Sequence, residues 1–154
     1  MIRAANINDI GDILNLLSQV LSIHHNGRPD IFKANVRKYS ENELKELLND
    51  EKRPIFVYEN ATRVVGYAFC IIKEVQNDNI LCDKKTLYID DLCVDESRRG
   101  GGIGRALYEY VCHYAKDIGC YNITLNVWEC NQSAKHFYEE LGLLPQKTIM
   151  EKIL

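Results

Sequence analysis

Four glycines, Gly100, Gly101, Gly102 and Gly104, fall within five consecutive positions, flanked by Arg98, Arg99 and Arg105. A helical pattern begins inside this run. Glycine costs about 1 kcal/mol relative to alanine inside a helix, so such a cluster needs a reason. One reason is a backbone that must approach a ligand closely with unpaired N–H groups pointing outward. The partial positive charge of a helix N-terminus adds to them, and together they cradle phosphate. Arg98, Arg99 and Arg105 supply charge-assisted bonds to the same kind of ligand. The bland alternative is a solvent-exposed flexible turn. Other residues of chemical interest are scattered. Asp90 and Asp91 interrupt an apolar strand, Glu129 stands at the end of another, and His24 and His25 sit in a polar stretch.

The elements that must position these residues follow from periodicity. Ile2 to Ala5 reads as a short strand. Asp9, with Asp12 three residues on, opens a helix whose apolar face is Ile10, Ile13, Leu14, Leu17 and Leu21. A polar loop, His24 to Pro29, is expected to end it. Ser40 and Glu43 form a capping-box pattern for a second helix, to about Asn49. Ile55 to Tyr58 and Val64 to Ile72 read as a hairpin, and Thr86 to Val94 as a further strand. The glycine turn then opens a helix with the stripe Leu107, Tyr110, Val111, Tyr114 and Ile118, stopped by Gly119. Asn122 to Trp128 is expected as a strand. Asn131 caps a last helix carrying Ala134, Phe137, Tyr138 and Leu141, and Thr148 to Ile153 is expected as a final strand. The step from Thr86–Val94 through a helix to Asn122–Trp128 has the length of a parallel crossover. The expectation is one α/β domain over residues 1–154, with a central mixed, mostly antiparallel sheet flanked by helices.

Composition narrows the function. The chain has 154 residues, 46% hydrophobic and 27% charged, with a formal net charge of −3. That suits a single globular domain and disfavours a nucleic-acid partner. No apolar run approaches the ~20 residues of a membrane helix, so no membrane partner is expected. Six cysteines form no C-x-x-C and no zinc-ligand spacing, so no metal site is expected and the thiols suit a reducing, cytoplasmic setting.

Which phosphate ligand the turn would hold can be narrowed. A dinucleotide fingerprint fails, because Leu107 stands where a third glycine is wanted. A nucleoside-triphosphate loop fails for want of Gly-Lys-Ser/Thr. What fits is Arg99-x-x-Gly102-x-Gly104 directly after a strand. Here the stretch LYIDDLCVDESRRGGGIGRALYEYV resembles the main signature of the GNAT acetyltransferase superfamily. A second feature of that family, Asn-x-x-Ala-x-x-Phe-Tyr-x-x-x-Gly, is matched by Asn131, Ala134, Phe137, Tyr138 and Gly142. The resemblance implies a sheet with a splayed parallel strand pair and acetyl-CoA as co-substrate. It implies that N–H groups from Arg99, Gly100, Gly101, Gly102, Ile103 and Gly104 hold the pyrophosphate. The pantetheine arm would lie along Leu92, Cys93 and Val94, with Asn131 near the mouth.

The implied chemistry is direct transfer of acetyl to an amine, without an acyl-enzyme. It needs a proton acceptor for the amine, a donor to the oxyanion, and a proton for sulfur. By resemblance Tyr138 is the acid and a backbone N–H near Leu92 or Cys93 the oxyanion donor. Tyr138 also lies on the apolar stripe, where a core aromatic would sit. Asp90 and Asp91 are candidate bases. Strand alternation lets only one of them face a substrate, and Glu129 is a rival. His24, His25 and Trp128, with Tyr88 and Tyr67, are candidates to line the acceptor pocket. The acceptor is a primary amine, either small and polyamine-like or on a protein or peptide. IDDL resembles the strand of polyamine acetyltransferases and favours a cation. A non-catalytic acetyl-CoA sensor of the same fold and a nucleotide-binding regulator are the competing functions. The segment Thr148 to Leu154 is a candidate edge for a homodimer.

Overall fold

The computed structural model describes all 154 residues. Its elements are β1 (Ile2–Ala4), α1 (Ile10–Gly27), α2 (Glu41–Leu47), β2 (Ile55–Asn60), β3 (Arg63–Val75), β4 (Lys84–Val94), α3 (Ile103–Asp117), β5 (Asn122–Leu125) and α4 (Gln132–Glu140). The five strands form one sheet in the order β1-β2-β3-β4-β5. All neighbours are antiparallel except β4 and β5, which pair in parallel. The expected mixed α/β architecture is therefore what this sequence builds.

Each face of the sheet carries its own core. On one face Ile13, Leu16 and Leu17 of α1 and Leu44 of α2 pack on Val57, Tyr67, Phe69 and Cys93. On the other, Val111 and Ala115 of α3 pack on Phe56, Ala68, Cys70, Leu87 and Ile89. Each fully buried aliphatic side chain contributes about 1.5–3 kcal/mol, so these two layers fix the sheet between its helices.

Several boundaries differ from expectation. Asn6, not Asp9, caps the first helical turn, with Asp9 as the third residue of its capping box. The Asp9 carboxylate also accepts two bonds from the Arg3 guanidinium, at 2.7 and 2.9 Å, and ties that turn to β1. Helix α1 continues to Gly27, so His24 and His25 lie on its last turn and not in a loop. Nothing in Ile23 to Asn26 breaks a helix, and polarity alone was a poor stop signal. The Ser40 capping box forms as expected, but α2 ends at Leu47. Strand β5 stops at Leu125, short of Trp128, and no strand forms over Thr148 to Ile153.

The departure that matters most lies in β4. Pairing with β3 shifts register between Phe69 and Cys70: Phe69 opposes Asp91 and Cys70 opposes Ile89. Asp90 is therefore the extra residue of a β-bulge. Pairing of β4 with β5 ends at Ile89 and Leu125. The two parallel strands part company at the bulge, and Asp90 to Val94 has no strand partner on that edge.

Candidate active site

The bulge resets which way the two acids point. Simple alternation would put Asp90 and Asp91 on opposite faces. The inserted residue brings both to the α1/α2 face. Asp91 Oδ2 accepts the Tyr67 hydroxyl at 2.9 Å. Asp90 Oδ2 accepts the Tyr39 hydroxyl at 3.1 Å and the Lys38 ammonium at 2.8 Å. Tyr39 and Tyr67 both belong to the core on that side. The expectation that only one acid faces the site is corrected: the fork of the sheet presents a carboxylate pair.

Their surroundings differ. Burial pushes the Asp91 carboxyl above its ordinary range, with Lys38 and the Tyr67 hydroxyl pulling it back. Tyr67 is fully buried, so it is a core residue and support for Asp91, not part of an open slot. Tyr39 stands between Asp90 and Arg53, whose Nη2 donates to its hydroxyl at 3.2 Å. Burial and Asp90 push its phenol up to about 12.

The end of α1 and the chain after β5 form a second wall. His24 stacks on Phe32 with ring centroids 5.0 Å apart, and Phe32 meets Trp128 edge-on at 5.1 Å. His25 Nδ1–H donates to the Phe32 carbonyl at 2.7 Å and pins that residue. A side chain at Gly27 would collide with Cys130, whose Sγ lies 2.7 Å from the Cβ position. The glycine permits this close approach of α1 to Cys130. Burial lowers the His24 basicity against the opposing pull of Asp91, so its imidazole is neutral near pH 7. Phe32, Lys38 and Tyr39 were not singled out in the sequence, because they sit in a turn-rich segment without periodicity.

Tyr138, on α4, faces the same region. Burial, and then the charge of Asp91, raise its phenol above the ordinary value. Tyr138 therefore keeps its proton at neutral pH. Burial pushes the Cys93 thiol up to about 12, so it stays protonated and is no nucleophile. Glu129 fares less well as a base. It is 80% exposed and paired with Lys135 at 2.8 Å, which lowers its carboxyl.

The glycine turn has the geometry of an anion cradle. Gly100 and Gly102 have φ of +80° and +79°, and Gly102 is the N-cap of α3. The N–H groups from Arg99 through Arg105 donate to no acceptor in the chain. They are the orphan donors a bound diphosphate would satisfy, so these residues fit coenzyme A. Gly104 has a different reason. A side chain there would lie 3.2 Å from the Phe137 ring, so Gly104 lets α4 pack on the turn and sets Tyr138 in place. The Arg99 side chain folds back, with Nε donating to the Val94 carbonyl at 3.1 Å. Asn131 Oδ1 accepts the Ala134 N–H at 3.1 Å and caps α4.

Comparisons with known proteins agree with this geometry. Residues 19–143 match the model of the Acetyltransferase (GNAT) family. The fold superposes on the crystal structure of a Bacillus halodurans protein at TM-score 0.96 and 34% identity, over 100% of this chain and 99% of that one. A glucosamine 6-phosphate N-acetyltransferase of Trypanosoma brucei brucei is 31% identical over 57% of this chain. The thialysine N-epsilon-acetyltransferase of Mus musculus is 26% identical over 92% of this chain and 82% of its own length. The first curated relatives are matched over only 56% and 64% of their length. An aminoglycoside N-acetyltransferase bound to CoA shares the fold at TM-score 0.75 and 15% identity. With its signature turn, its forked parallel strands and a family match over most of its length, this chain belongs to the GNAT acetyltransferase family.

Proposed function

We propose that this protein transfers the acetyl group of acetyl-CoA directly to a primary amine that arrives as a cation. The observation that carries the proposal is the carboxylate pair at the fork. Asp90 and Asp91 share one face beside the open edge of β4, and an ammonium already rests on Asp90. Residues Arg99 to Arg105 would hold the diphosphate, and Leu92, Cys93 and Val94 would offer backbone groups to the pantetheine arm. Acetyl-CoA would supply an activated acetyl when bound. The chain's own residues do the rest. Asp91, with its raised carboxyl, accepts a proton from the amine, and neutral His24 is placed to assist. Tyr138 donates to the departing sulfur. His24, Phe32 and Trp128 form an apolar wall for the acceptor's stem.

The relatives' names span a sugar phosphate amine, a lysine analogue and aminoglycosides. Two acids at the acceptor place favour a cationic amine, small or on a peptide, over a phosphate-bearing one. Six free thiols suit a cytoplasmic protein, and the exposed tail beyond Leu143 suits a homodimer. The test is calorimetry with acetyl-CoA, followed by turnover with polyamines, lysine analogues, peptide amines and glucosamine 6-phosphate. Binding with turnover of the cationic amines is expected. Tight binding with no turnover of any amine would instead make the protein an acetyl-CoA sensor.

A further inference from the structure

Lys38 lies in the segment between α1 and α2, and its Nζ is held against the fork of the sheet. It donates to Asp90 Oδ2 at 2.8 Å and approaches the Asp90 carbonyl at 3.4 Å. Asp90 is the bulge residue at the point where β4 leaves β5. The same ammonium is close enough to act on the titration of Asp91, His24 and Tyr88. Other lysines pair elsewhere: Lys45 with Glu41, Lys85 with Glu74, Lys135 with Glu129. Lys38 alone of these carries a primary amine to the fork. We propose that Lys38 is an acetylation site of the protein itself, its ε-amine holding the acceptor place and taking the acetyl group within the same chain. This rests on the acetyl-transfer function proposed above.

The step balances. A bond forms between Lys38 Nζ and the acetyl carbon as the bond from that carbon to the coenzyme A sulfur breaks. The ammonium gives up two protons; one ends on the sulfur and the other passes through the carboxylate pair to water. The product amide carries no charge and releases Asp90. The acceptor place then opens to an external cation, so self-acetylation would act as a priming reaction. A lysine merely neutralising Asp90 would show no such preference in labelling.

Mass spectrometry of the full chain, incubated with isotopically labelled acetyl-CoA and no other amine, reads this directly. Lys38 should gain label at least about tenfold faster than any other lysine, because its amine is already positioned. The rate constant should not change with protein concentration. Asp90→Asn should slow labelling of Lys38 by a similar factor, and Lys38→Arg should abolish it without labelling a neighbour. Uniform labelling of surface lysines, a rate that grows with protein concentration, or an unlabelled Lys38 in protein that acetylates free amines would each overturn the assignment. Failure to bind acetyl-CoA in calorimetry would instead remove the underlying function, so the two failures are told apart.

Discussion

Asp91 is buried where ionising its carboxyl costs stability. A carboxyl whose pKa rises on folding binds its proton more tightly in the native state than in the unfolded one. Stability therefore falls as pH climbs from about 4, the unfolded carboxyl value, through the raised native value. Asp91→Asn removes that burden while its amide oxygen still accepts the Tyr67 hydroxyl. At neutral pH it should raise Tm, with the gain vanishing near pH 4. The same variant should lose about 10²-fold in turnover. Calorimetry at both pH values checks the first part; a lower Tm at neutral pH would contradict the direction of the shift. Tyr138 makes the complementary case. Tyr138→Phe should cut turnover by about 10²–10³-fold with coenzyme A affinity little changed. Unaltered turnover would make it the core aromatic that its place on the apolar stripe also allows.

At the scale of elements, legibility followed locality. The glycine turn and the Asn131 cap could be read from sequence because each requirement is met within a few residues. The bulge could not, because nothing in Ile89 to Leu92 marks which residue is extra; only the register with β3 decides it. That single insertion turned two acids expected on opposite faces into a pair, at the point where β4 and β5 stop pairing. The His24 and His25 turn was misplaced for a related reason. Helix α1 runs on to Gly27, where the missing side chain admits Cys130, a residue far away in sequence. The turn itself offers a sharp test. A side chain at Gly102 meets no atom within 4 Å, but φ of +79° is unfavourable for any L-residue. Gly102→Ala should cost roughly 1–2 kcal/mol of stability from the left-handed backbone alone. It should also weaken coenzyme A binding by reorienting the N–H groups of the cradle. Gly104→Ala presses on Phe137 instead, so it should lower turnover through Tyr138 more than it lowers affinity. Denaturation paired with calorimetry on both variants separates the two roles.

The whole molecule leaves one stretch without a partner. Leu144, Ile149, Met150, Ile153 and Leu154 are 78–108% exposed, and a strand expected over Thr148 to Ile153 does not form. The sequence pattern there was sound for a strand, but a strand needs a partner, and this stretch pairs with no strand of its own chain. Its one ionic tether is Glu151, held by Arg28 at 3.0 Å. Five exposed apolar side chains in so short a stretch mark a surface meant to be covered. The outer edge of β5 is free to accept a strand from a second copy, which is the homodimer of the proposed function. Removing residues 144–154 should cost the folded domain little, within about 0.5 kcal/mol, since none of them is buried. Sedimentation should show the full chain at twice its 17.8 kDa mass and the truncated chain as a monomer. A full-length protein that sediments as a monomer at all concentrations would leave the tail without that role.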